Sequence, residues 1–145
     1  MTTKNNLIPS DIRWQQRFVN FEHAFLFLNQ ALQRNISQFN QLEKDGIVWR
    51  FKYIFELAWK VLKDKMENDG LILDQISPKA VVKQAFTNKY IDDAKIWLKM
   101  IDDRNLMSHT YNFETFEIII VTIKQEYLPI LDKWYIELQK EIKQK

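Results

Sequence analysis

Residues 11–35 read DIRWQQRFVN FEHAFLFLNQ ALQRN. Within this stretch Trp14, Phe18, Phe21, Phe25, Leu28 and Leu32 recur at alternating steps of four and three. Those steps follow the 3.6-residue turn and draw one apolar stripe along a helix. Pro9-Ser10-Asp11 supplies a start signal, so the spacing predicts a first helix from about Asp11 to Asn35.

The same period continues outward from this stripe. Ile36 to Lys44 reads as a polar connector, with a second helix beginning near Asp45. Val48, Phe51, Phe55, Ala58 and Leu62 share one face of it. Ile54, Trp59, Val61 and Met66 widen the arc, as expected of a helix packed on more than one side. Asn68-Asp69-Gly70 ends it with a glycine C-cap signal. Ser77-Pro78 pairs an N-cap with proline at the first helical position and opens a short helix carrying Val81, Val82, Ala85 and Phe86. Asp92 is the expected cap of a fourth helix over Asp93–Ser108. A last helix restarts at Asn112 or Glu114 and runs to Lys145, with a kink or break near Tyr127 because of Pro129. Long amphipathic helices on short connectors pack as bundles. The expected fold is all-α: an up-and-down four-helix bundle with a short additional helix, in one domain over residues 1–145.

Composition agrees. The 145 residues are 14% aromatic, with five Trp and ten Phe, enough large side chains for a substantial core. Two glycines and three prolines are too few for the turns of an all-β fold. Cysteine is absent, which rules out disulfides and cysteine metal sites. A net charge of +2 does not by itself argue for nucleic acid. Met1–Ser10 lacks the apolar core of a signal peptide, and the longest apolar run, Ile118–Val121, is far short of a membrane span. A cytoplasmic protein without membrane contact is the expectation, and the five tryptophans are expected in the core or at an interface.

The chemistry concentrates in Asp103-Arg104-Asn105-Leu106-Met107-Ser108-His109-Thr110-Tyr111. On a helical wheel Ala94, Ile96, Trp97, Leu98, Met100, Ile101 and Met107 span one apolar arc, with Arg104 near its middle. A guanidinium cannot shed its proton, so burial there demands a carboxylate, carbonyls or a bound anion. Asn105 and His109 stand one turn apart at the edge of the arc, while Asp102 and Asp103 lie toward the polar side. Arg104 and His109 diverge by about 140° on an ideal helix. Two routes bring them together: a helix that ends near Ser108 and lets His109 fold back, or a second copy facing the first across a symmetric dimer. Histidine moves protons near neutral pH, arginine holds phosphate and the charge growing on it, and Asn105 can orient either group. These are parts for cleaving a phosphodiester with the RNA 2′-hydroxyl as attacking group. No carboxylate–histidine cluster suggests a metal, and no cofactor is expected. Tyr111 offers a hydroxyl open to modification.

At these residues the chain resembles the HEPN superfamily, whose hallmark is Arg followed by four to six residues and His. More narrowly it is similar to the nucleotidyltransferase substrate-binding proteins within that superfamily. The matching text is Phe55-Glu56-Leu57-Ala58-Trp59-Lys60, Ser77-Pro78, Ala85-Phe86, Trp97-Leu98, Asp103-Arg104-Asn105 and Ser108-His109-Thr110-Tyr111, within a likeness running from about Trp14 to Tyr135. Arg17 and His23 satisfy the bare spacing too, but lack the Asn after the Arg and the Tyr two beyond the His.

The resemblance implies a dimerising up-down bundle with the Arg–His motifs near the interface. It also implies a separately encoded partner, the minimal nucleotidyltransferase MNT. In toxin–antitoxin pairs of this kind the HEPN member is a ribonuclease, silenced when MNT attaches AMP to the motif tyrosine. Carried over, Arg104 and His109 are catalytic with Asn105, Asp103 and Ser108 are supporting, and Tyr111 is the modified residue. Two other readings stay open. One is a non-catalytic subunit that binds substrate or nucleotide for the transferase, and the other is a scaffold in which Arg104 pairs internally.

Overall fold

The computed structural model describes residues 10–109 and 112–144. Thr110 and Tyr111, and the Pro9 that opens the expected start signal, lie outside the described residues. Six α-helices follow in chain order: α1 (Ser10–Ala31), α2 (Gln41–Asn68), α3 (Pro78–Thr87), α4 (Ala94–His109), α5 (Phe113–Thr122) and α6 (Leu128–Lys143). A five-residue π turn, Ile123–Tyr127, joins α5 to α6 without a gap. Four long rods therefore result, α1, α2, α4 and α5–α6, with α3 as the short extra helix. Among the described residues there is no strand, and no helix is long and apolar enough to cross a membrane.

The six stripe residues from Trp14 to Leu32 are all buried. They pack mainly against α2, the central rod, which also meets α3, α4 and α5. That many-sided packing is why α2 buries Ile54, Trp59, Val61 and Met66 as well as its main face. The bundle closes on an aromatic cluster. Trp134 of α6 meets Phe21 at 5.1 Å and Trp97 of α4 at 5.4 Å, both edge to face. Edge-to-face rings place the positive rim of one over the negative face of the other.

Among the described residues two charged groups enter this core, each paired. Asp64 on α2 is buried and takes Arg17 of α1 at 2.6 Å and Lys63 at 3.1 Å. Lys65 is buried between Asp69 at 3.0 Å and Glu141 of α6 at 2.9 Å. Burial opposes its charge, and the two carboxylates outweigh burial, so its ammonium is held above the ordinary lysine range.

Some boundaries differ from expectation. The second helix starts four residues early, at Gln41, because Asn40 and Glu43 form a capping box in which each side chain bonds the other's backbone N–H. The stretch before it is not all connector, since Ile36–Gln38 forms a 3-10 turn capped by Asn35. The first helix ends at Ala31 rather than Asn35. Asp93, not Asp92, caps α4 by accepting from Ile96 N–H at 3.1 Å, while Asp92 pairs with Lys133 of α6 at 2.6 Å. The irregularity expected near Tyr127 is the π turn itself: the rod leaves α geometry there without ending, with Leu128 N–H bonding the Ile123 carbonyl five residues back, and Pro129 follows in the first turn of α6. Of the five tryptophans, Trp49 alone is exposed, at 69%. Gly46 sits inside α2, where glycine costs about 1 kcal/mol relative to alanine, and a Cβ there meets nothing within 4 Å.

Candidate active site

The cap at Asp93 and the burial of Trp97, Met100, Ile101 and Met107 fix the rotation of α4 against the bundle. That rotation leaves Arg104 at the seam with α2. Its side chain is 28% exposed, and its Nη2 donates to Glu56 Oε2 at 2.7 Å. Nη1 donates to Asn105 Oδ1 at 3.1 Å. Arg104 thus has the carboxylate that its place in the apolar arc requires. The side chain as a whole is partly buried and keeps some exposure to solvent.

Glu56 is shared. Lys60, one turn along α2, places its ammonium 3.4 Å from the other carboxylate oxygen. Partial burial alone would raise the Glu56 carboxyl. The indole N–H of Trp59, Arg104 and Lys60 together outweigh it and hold the group below the usual glutamate value. Trp59 acts without completing a hydrogen bond: its buried Nε1 meets no acceptor in bonding geometry.

Asp103, expected on the polar side, is half-buried and accepts a hydrogen bond from the phenol of Tyr127 on the π turn. Tyr127 is fully buried and stacks on Phe51 at 5.3 Å. Burial, then the Asp103 carboxylate, push its phenol far above the ordinary tyrosine range, so it stays a donor. The residue before Arg104 is thereby anchored to the last rod. Ser108 bonds back to its own helix, its hydroxyl donating to the Arg104 carbonyl at 3.0 Å.

His109 is exposed and is the last residue of α4. The helix runs through it instead of stopping at Ser108, so His109 keeps its helical bearing, about 140° from Arg104. One chain does not bring the two together. The guanidinium's partners among the described residues are Glu56 and Asn105. Tyr111 lies outside the described residues. The second Arg–His spacing is taken apart as well, since Arg17 is tied to buried Asp64 while His23 is exposed.

Two contributors were missed in the sequence reading. Glu56 carried a signal, the Glu56–Lys60 spacing of four within a quoted stretch. Tyr127 carried none, because its tie to Asp103 spans 24 residues of chain.

The arrangement offers a partly exposed arginine already oriented by a carboxylate and an amide, near the end of a helix whose last residue is an exposed histidine. A guanidinium has five N–H donors and can take a phosphate oxygen beside its carboxylate partner, and an imidazole can take or return a proton.

Comparison with known proteins places this site in context. The family described as "nucleotidyltransferase substrate binding protein like" matches residues 16–140. A protein of Haemophilus influenzae described as a probable ribonuclease HepT is 31% identical over 72 residues. That match covers 48% of this chain and about half, 49%, of the relative. A crystal structure of a Thermus thermophilus protein superposes with a TM-score of 0.70 at 30% identity, covering 81% of this chain and 98% of the other. With the matched region taking in most of the α1 stripe, the Glu56–Arg104 pair and His109, the chain belongs to the HEPN-type nucleotidyltransferase substrate-binding protein family.

Proposed function

We propose that this chain is the HEPN subunit of a two-protein system with a separately encoded MNT nucleotidyltransferase, and that it cleaves RNA until AMP is attached to Tyr111. The observation that carries the reading is Arg104, held 2.7 Å from Glu56 yet still partly exposed, five residues before an exposed His109. The likeness to a probable ribonuclease over half its length supports it.

In this reading Arg104 binds a non-bridging phosphate oxygen and His109 accepts the proton of the neighbouring 2′-hydroxyl. The 2′-oxygen bonds to phosphorus, the bond to the 5′-oxygen breaks, and that oxygen leaves with a proton from an imidazolium or water. The products are a 2′,3′-cyclic phosphate and a 5′-hydroxyl. Because Arg104 and His109 diverge within one chain, the site is completed by a homodimer. The composition of α5 supports such a dimer. The helix's second half is the apolar run Ile118–Val121, with Ile119 and Ile120 buried and Ile118 67% exposed beside exposed Val121, so apolar side chains face both the core and solvent.

The test is cleavage of single-stranded RNA by purified protein in chelator, compared with His109→Ala. Cleavage that produces cyclic phosphate ends and is lost in the variant is the expected result. Equal cleavage by both, or none by either, counts against it. Co-expression with the MNT protein should add AMP units to Tyr111, read by mass spectrometry, and a Tyr111→Phe chain should stay unmodified.

A second reading has its own observation. Arg104 is already paired with Glu56, which suits a non-catalytic subunit in which a nucleotide phosphate competes with that carboxylate for the guanidinium and is presented to the transferase. Arg104→Ala should then weaken nucleotide binding by the complex, while the protein alone cuts nothing.

A further inference from the structure

Away from the Arg104 pair, α1 and α2 border a groove with an unusual composition. One concavity of about 370 Å³ is lined by Asn20, His23, Ala24, Phe27, Arg50 and Tyr53. A second, of about 330 Å³, adjoins it, shares Phe27 and Arg50, and extends to Arg34, Phe39 and Gly46. Its rings are open to solvent: Phe27 is 55% and Tyr53 52% exposed. Its cations lie over rings. Arg50 stands 4.3 Å from the centre of Phe27 and Arg34 4.6 Å from that of Phe39, while Lys52 stands 4.7 Å from exposed Trp49 just beside the groove. The one lining carboxylate, Glu43, is bound to the Asn40 backbone in the capping box. No packing demand accounts for Gly46; what it does is keep the floor low.

The geometry points to a binding track for single-stranded RNA along this groove, with bases on Phe27 and Tyr53 and phosphates on Arg34 and Arg50. The proposal deepens the ribonuclease reading and rests on it for the choice of RNA. Alternating open rings and cations are what a strand with stacked bases and a charged backbone requires. A second copy of the chain suits the face less well, because the lining carries Arg34 and Arg50 while its one carboxylate, Glu43, is already bonded, so a like face brings no free counter-charge. Direction is supplied by α2. Tyr53 and Glu56 are three residues apart, neighbours on one face of the helix, so the track ends beside the carboxylate that holds Arg104.

The experiment measures binding, not cleavage. A fluorescent 2′-O-methyl oligouridylate of about 12 nucleotides has no free 2′-hydroxyl and survives any ribonuclease of the proposed kind. Its affinity is measured by anisotropy over a salt series for the wild type, Phe27→Ala, Tyr53→Ala, Arg50→Glu and Gly46→Leu. Each variant should bind roughly tenfold more weakly, with a shallower salt dependence for Arg50→Glu. A duplex of the same length should bind less tightly than the strand. Circular dichroism checks that the exposed positions leave the helices intact. Wild-type affinity in all four variants, or equal affinity for duplex and strand, overturns the proposal. It is also overturned if the variants bind as wild type but lose self-association in sedimentation velocity, since the face then takes a second copy. If the wild type cuts no RNA yet binds the oligonucleotide through these residues, the cleavage reading fails and the track stands.

Discussion

Arg104 on α4 and Glu56 on α2 are joined at 2.7 Å across 48 residues of chain, each with about two-thirds of its side chain covered. The pair sits where two rods meet. It therefore serves the packing of α4 as well as the orientation of the guanidinium, and the two roles separate by measurement.

Replacing Arg104 by Ala should reduce RNA cleavage by about 100-fold or more, the scale lost when a charge-stabilising donor is removed. Stability should fall by only about 1 kcal/mol, because both partners keep some exposure and the pair is partly screened. Cleavage rates and thermal melts on the same preparations check both. A large fall in Tm with cleavage intact would move the pair from chemistry to structure.

Glu56 also sets an acid limit. Its folded carboxyl lies below the ordinary glutamate value of 4.5, so the unfolded chain takes up its proton first as pH falls. The stability from this group is therefore present above about pH 4.5 and is lost as pH drops through the lowered folded value. Glu56→Gln should flatten that part of the curve of Tm against pH between 6 and 3. An identical acid slope in the variant would show that other carboxylates carry it.

Buried Asp64 depends on its cations. Arg17→Ala leaves Lys63 at 3.1 Å as its remaining salt-bridge partner. Stranding a buried charge is costly, and since Arg17 is itself partly exposed the loss should be about 2 kcal/mol, roughly a 6 °C drop in Tm for a domain of this size. Arg17→Ala/Asp64→Leu should recover much of it. A double variant no more stable than the single would refute that account.

The exposed side of α5 should behave as an interface. Ile118→Glu with Val121→Glu should turn a dimer into a monomer in sedimentation velocity, with the helical signal unchanged because neither side chain is in the core. Under the dimeric reading of the site the same variant should lose cleavage. A dimer that survives both charges would place its interface elsewhere.

Much of the fold was legible because helix formation is written locally. The Trp14–Leu32 stripe is a matter of steps of three and four, and all six residues are buried. Ser77-Pro78 opened α3 where it was read, and Asn112 caps α5 by accepting from Thr115 N–H at 3.0 Å. The start of α2 was legible as well, in the Asn40-to-Glu43 capping box, but a polar stretch hid it. Trp49 is the one tryptophan outside the core, and its exposed position on α2 leaves the interface half of that expectation untouched.

At the site, the sequence by itself determined which groups are available and on which helix. It put Arg104 in an apolar arc, and with that the need for a counter-charge, because a guanidinium stays charged wherever it is placed. Which carboxylate answers was decided only by tertiary structure. Glu56 and Tyr127 reach the motif through rods packed side by side, and side-chain order along a chain does not encode such contacts. The continuation of α4 through His109 was likewise settled by the fold, which leaves that residue exposed and on a helical bearing apart from Arg104.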